Sequence, residues 1–131
     1  ALKIFGHSQA FWAEMGARPK IEERMGYPKG KIQEEGRIPQ LMRKYENLYG
    51  DLSAGSGYNA LARDPEYAAK FLTEFQDRLF FGTDVASPKG HMDELLFALA
   101  NFLKNLRQTG KISETVFQKV ARENAIRVLE L

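Results

Sequence analysis

The sequence predicts an α/β protein in which short parallel strands alternate with helices. Three brief apolar runs, Leu2–His7, Asn47–Asp51 and Leu79–Thr83, each contain or meet a glycine and end at a polar side chain. Runs of that length and composition suit strands buried on both faces. Between and after them, apolar residues recur at steps of three and four, which is the spacing of helices. Strand and helix in alternation call for right-handed crossovers and a parallel sheet covered by helices.

Along the first strand, Lys3, Phe5 and His7 share one face. Residues 8–15 follow as a loop or one to two helical turns. The stretch 16–36 is rich in glycine, proline and charge, and predicts a long excursion without regular structure. Its basic residues Arg18, Lys20, Arg24, Lys29 and Lys31 alternate with acids and read as a solvated loop. Ile38–Tyr45 has helical spacing. After the second strand, Ser53–Gly57 predicts a flexible turn. Asp64-Pro65-Glu66 then starts a helix with a physical reason for each residue. Asp accepts from free amides, Pro occupies the first helical position without losing a bond, and Glu suits the dipole. That helix is expected to reach about Gln76, burying Tyr67, Phe71, Leu72 and Phe75.

Three apolar or aromatic residues in the third strand, Leu79, Phe80 and Phe81, lead to Gly82 and Asp84. Alternation puts Phe80, Gly82 and Asp84 on one face. Beyond Pro88 and Gly90, with His91 as a solvated histidine at a helix start, an apolar stripe runs through Met92, Leu95, Leu96, Leu99, Phe102, Leu103 and Leu106. Gly110 ends that helix. Ser113 caps a last one, burying Val116, Phe117, Val120 and Ala121 and continuing through Ile126 and Leu129.

The chain's 131 residues are the size of one domain or domain fragment, residues 1–131. A net charge of +2 argues against nucleic acid and against an anionic membrane surface. Without cysteine, disulfides and thiolate metal sites are excluded. No run is long enough for a transmembrane span and no signal-peptide pattern opens the chain, so a soluble, cytoplasmic protein is expected. A start at Ala1 that enters a strand at once reads as a cut edge.

In register, His7, Asp51 and Asp84 close three successive parallel strands at their carboxyl ends. Imidazole and carboxylate are ligands that zinc or a similar ion accepts, with one position left for water. A carboxylate at such a place can also take a proton from that water. Gln9, Phe11 and Trp12, just after the first strand, are candidates for a pocket wall.

Gly6-His7-Ser8, Asn47-Leu48-Tyr49-Gly50-Asp51-Leu52-Ser53 and Leu79-Phe80-Phe81-Gly82-Thr83-Asp84 together resemble the amidohydrolase superfamily. Within it they are most similar to the aminocarboxymuconate-semialdehyde decarboxylase-like and lactonase-like branch. The closing Glu123-Asn124-Ala125-Ile126-Arg127-Val128-Leu129 also resembles that family's tail. The resemblance spans essentially all 131 residues and implies the last three strand–helix units of a TIM (β/α)8 barrel. It further implies that Asp84 binds metal and acts as general base, and that His7 binds a second metal or contacts substrate. Asp51 and Ser53 would be pocket wall, with Gln9 and Trp12 as further substrate-binding candidates. The family's histidine pair of the first barrel strand and its fifth-strand histidine have no counterpart here.

The implied function is metal-dependent hydrolysis or decarboxylation (hydrolase or lyase) of a small carboxylic acid, lactone or amide. The divalent ion, expected to be zinc, would be held only if the rest of the site is supplied. The expected partners are a small-molecule substrate and either a second copy or the missing barrel part. A non-catalytic, self-associating module is the rival reading, since three strands with two open edges invite pairing. A phosphate-compound binding domain using Gly55 and Gly57 as an anion nest ranks last.

Overall fold

The computed structural model describes residues 2–17, 21, 26–86 and 94–131. The expectations for Arg18, Pro19, Lys20, Arg24, Pro88, Gly90, His91 and Met92, and for burial of Leu95 and Leu96, lie outside that description.

Among the described residues the sheet has three strands in the order β1-β2-β3. β1 is Ile4–Gly6, β2 Leu48–Asp51 and β3 Leu79–Phe80. Both pairings are parallel, with Phe5 beside Tyr49, Gly6 beside Gly50 and Asp51 beside Phe80. The α/β class and the parallel sheet are therefore as predicted, but the first and third strands are shorter than their apolar runs. The pairing of β3 with β2 stops at Phe80, and the outward-facing Phe81 amide donates to Val120 O of the terminal helix at 3.0 Å. Of the two open edges expected, that of β3 is thus covered.

Helices join the strands. α1 (Gln9–Trp12) passes into a 3₁₀ turn (Ala13–Met15). α2 spans Arg37–Lys44, α3 Ala54–Ala62, α4 Pro65–Glu74 and α5 Glu94–Gln108. The terminal helix comprises α6 (Glu114–Gln118), a π-helical turn (Lys119–Glu123) and α7 (Asn124–Leu129). Its predicted cap holds, with Ser113 Oγ accepting from the Val116 amide at 3.2 Å. Leu129, expected on the buried side, is half exposed, because as the last residue of α7 it borders an open groove.

The two faces of the sheet differ. Against one lie α1 and the main core, which includes Trp12, Met42, Leu61, Phe71, Leu79 and Leu103. The glycines of β1 and β2 serve this face. A Cβ at Gly6 would lie 2.1 Å from the Phe11 ring, and one at Gly50 2.7 Å from Trp12. The other face carries Phe5, Tyr49 and Phe80, with ring centroids 5.3–5.8 Å apart. Arg78 fastens the amino end of the sheet, donating to Met42 O and Tyr45 O while lying over the Phe75 ring.

One predicted turn is a helix. Ser53–Gly57 was expected to be flexible, yet α3 already begins at Ala54. Burial overrides the weak helix propensity of glycine. The helix packs so closely on the strand before it that a Cβ at Gly57 would lie 2.2 Å from Leu52 O. Gly55 and Gly57 thus sit within a helix and do not form the turn that an anion nest needs.

The excursion predicted for 16–36 has, in its described part, one antiparallel bridge, Gly16 to Glu35. Asp64 ties it down. Its carboxylate accepts from the Tyr67 amide (3.2 Å), capping α4, and from the Ile32 amide (3.0 Å) in the excursion. Burial alone pushes this carboxyl up, but the amides of Ile32 and Tyr67 and the charge of Lys31 more than offset it, so its pKa lies below the usual range.

Two outcomes follow. In urea titrations, Gly57→Ala should cost about 1–3 kcal/mol through overpacking, whereas Gly55→Ala, 3.6 Å from its nearest neighbour atom, should gain about 0.5–1 kcal/mol. Asp64→Ala should cost about 1–2 kcal/mol at neutral pH. A depressed carboxylate pKa contributes stability above its unfolded value and loses it as pH falls through the folded one. The gap between Asp64→Ala and the parent should therefore narrow below about pH 4, as read from melts across pH.

Candidate functional site

All three strands run in one direction, so their carboxyl ends meet at one rim of the sheet. There the chain must leave the sheet sharply three times. Each exit uses a non-glycine residue in the left-handed region: Ser8 (φ 82°) after β1, Ala54 (φ 61°) after β2 and Asp84 (φ 60°) after β3. Such residues are uncommon, and they concentrate where surrounding structure holds them in place.

β1 delivers His7 and β2 delivers Asp51. His7 Nδ1 lies 3.2 Å from Asp51 Oδ2, with both side chains partly open to solvent. The second Asp51 oxygen accepts from the Ser53 amide at 2.9 Å, so the carboxylate is oriented by its own chain. Ser53 Oγ stands 3.5 Å from His7 Nδ1. With Nδ1 paired to Asp51, Nε2 is the ring nitrogen left for another partner.

Asp84 follows β3 by four residues, beyond the strand, and is exposed. Gly82 brings this segment over β2, since a Cβ there would lie 2.9 Å from Ser53 Cβ. Asp84, Asp51, Ser53 and Gly82 line one groove of about 410 Å³ with Phe5, Phe80 and Phe81. The groove's remaining wall is Ala125 and Leu129 of α7. These two were not foreseen, because contact between a terminal helix and this face has no local signature.

The other expected site residues fall elsewhere. Trp12 is buried in the core beneath the rim, its indole N–H donating to Asp51 O at 2.7 Å, so it supports β2 rather than facing the groove. Gln9 donates to Gly26 O and so fastens the loop beyond α1. Among the described residues, no three His, Asp or Glu side chains come close enough together to hold a metal ion. His7 and Asp51 make a pair, and Asp84 stands apart on the same rim.

The family model described as amidohydrolase matches residues 16–131. Asp51, Ser53 and Asp84 fall inside that stretch, while His7, Gln9 and Trp12 precede it. No curated protein and no solved structure matches the chain.

The strained exits are open to measurement. Ala54 has no polar group to compensate its left-handed backbone, which costs an L-residue about 1–2 kcal/mol. Ala54→Gly should therefore raise stability by about 1 kcal/mol, seen as a higher urea midpoint with an unchanged slope.

Proposed function

The chain belongs to the amidohydrolase superfamily, and from that premise we propose that it forms one wall of a hydrolase site. The observation that carries this reading is the rim itself. At the carboxyl ends of the strands, His7 and Asp51 form a pair with the Ser53 hydroxyl beside them, and Asp84 stands on the same rim, bordering with Asp51 and Ser53 a groove with aromatic walls. In parallel α/β architectures that end is where chemistry is placed.

The wall corresponds to the last three units of a (β/α)8 barrel, residues 1–131 being its C-terminal portion. A decarboxylase-like or lactonase-like substrate fits the groove: a small carboxylic acid, lactone or amide with its apolar part on Phe5 and Phe80. In hydrolysis, Asp84 takes a proton from water as the water oxygen bonds to the substrate carbonyl carbon. It returns that proton to the departing oxygen or nitrogen as the acyl bond breaks. His7, oriented by Asp51, accepts a hydrogen bond from water or substrate through Nε2 and holds the reacting group in register.

Members of this family usually carry a divalent metal ion. The side chains described here do not make a complete ligand set for one. Zinc would need further donors, which the remaining barrel units are proposed to supply. The same incompleteness, with an open strand edge at β1, favours a second reading, a non-catalytic interaction module.

Turnover separates the two. Alone, with or without added zinc, the 131-residue chain should not hydrolyse simple esters, lactones or amides. In a longer polypeptide that supplies the other strands, hydrolysis should appear, and Asp84→Asn should lower kcat by about 10²–10⁴-fold. Turnover there that is indifferent to Asp84→Asn would defeat the hydrolase reading. Activity of the isolated chain, lost in Asp84→Asn, would show the site to be complete within it.

A further inference from the structure

The residue before each member of the rim pair is a glycine. Gly6 precedes His7, Gly50 precedes Asp51, and the two glycines lie side by side in register. One element fills the space above both. Phe11 and Trp12, consecutive in α1, meet edge to face with ring centroids 4.9 Å apart. The Phe11 ring takes the place that a Cβ at Gly6 would need, and the Trp12 ring does the same at Gly50. A single aromatic pair therefore bears on the backbone immediately before both His7 and Asp51.

The indole does more than fill space. Along β2, Asn47 O accepts from the Ile4 amide of β1. Strand residues alternate with period two, so Asp51 O points to the same side. By that level β1 has ended. Its pairing stops at Gly6, and the chain turns away at Ser8 in the left-handed region. A side chain supplies the missing rung, the Trp12 indole N–H donating to Asp51 O at 2.7 Å. β1 can thus leave the sheet without stranding an acceptor on β2. The Ser53 amide holds Asp51 Oδ1, which leaves Oδ2 to face His7 Nδ1.

We propose that Phe11 and Trp12 are positioning residues of the rim, which together set the His7–Asp51 contact and through it the orientation of the His7 ring. Neither lines the groove, so each acts through the residue that its ring places. The circuit is short. Phe11 and Trp12 stand four and five residues beyond His7, so the exit that carries the imidazole also carries the clamp on its carboxylate partner. A shift of α1 across the sheet moves both members of the pair at once, and small misplacements of a reacting group are costly to catalysis. The role in catalysis rests on the reading of the rim as a hydrolase site; the role in placing His7 does not.

Two readouts separate this role from plain core packing. The first is the NMR of the His7 ring nitrogens in the isotope-labelled chain, with His91→Gln leaving one imidazole and with alkaline buffer keeping it neutral. The two nitrogens should differ in shift as one held tautomer requires, with the proton on Nδ1 facing Asp51. Trp12→Phe keeps a ring but deletes the N–H, and should close at least about half of that difference. Leu72→Ala, a cavity in the core on α4, should lower the urea midpoint and leave the His7 nitrogens as in the parent. Should Trp12→Phe fail to fold, Phe11→Leu keeps the indole, frees Gly6 and should bring the same convergence. The second readout is kinetic. In the longer polypeptide, Trp12→Phe should lower kcat about 10–100-fold with KM changed less than about twofold. Parent nitrogens in Trp12→Phe, equal movement in Leu72→Ala, an averaged tautomer in the parent, or an unchanged kcat would overturn the proposal. Failure of the hydrolase reading shows separately, as turnover indifferent to Asp84→Asn while the nitrogen shifts behave as stated.

Discussion

The docking of the terminal helix on the outer edge of β3 shapes one side of the rim. On its inward side β3 stays with β2, Phe80 O accepting from the Leu52 amide, and Gly82 then passes close over Ser53. On its outward side the Leu79 carbonyl accepts from Asn124 Nδ2 and the Phe81 amide donates to Val120 O. The acceptor lies in the π-helical turn Lys119–Glu123. A π turn shifts bonding from i+4 to i+5, and such turns commonly leave a carbonyl available to an outside donor. With Asn124 bonded to Gln76 O and Leu79 O, the terminal helix lies where Ala125 and Leu129 line the groove.

Opposite the rim's changeable loops, the helical side is held by charge. Arg43 forms a two-sided clamp, bonding Glu35 of the excursion and Glu74 of α4. Its hydrogen bonds hold the Glu35 carboxyl below the usual range despite partial burial. Tyr67 is pushed in the other direction, by burial and by its bond to Glu35, so the phenol stays protonated and donates. Asp64 adds the second fastening. The excursion is thus anchored to α2 and α4, while the rim remains free to be built by its own turns.

Much of this was legible in the residues, wherever a local rule sufficed. Asp64-Pro65, Ser113 and Gly110 mark helix ends where backbone groups need partners, and each does so. The strands, their parallel order and the shared rim followed from short apolar runs separated by helices. The misreadings have a common origin in packing between distant segments. Ser53–Gly57 looks like a turn until Leu52 is pressed against it. Leu79–Thr83 looks like a five-residue strand, but its pairing with β2 stops at Phe80 and Gly82 passes over Ser53. Asn124 carries a signal of its own, since a polar side chain within an apolar helical stripe points to a buried partner. At the site, His7 with Asp51 was readable from register, but the roles of Trp12 and Leu129 depend on which face each element presents.

Trp12 is the sole tryptophan of the chain, and its indole N–H is bonded to Asp51 O at the end of β2. The protein therefore contains its own optical reporter, placed directly behind the rim. Indole emission responds to the polarity and hydrogen bonding around the ring, here a buried setting in contact with Phe11 and Phe71. A displacement of Asp51, whether by a bound molecule or by loosening of the His7 contact, passes through one hydrogen bond to the chain's one indole.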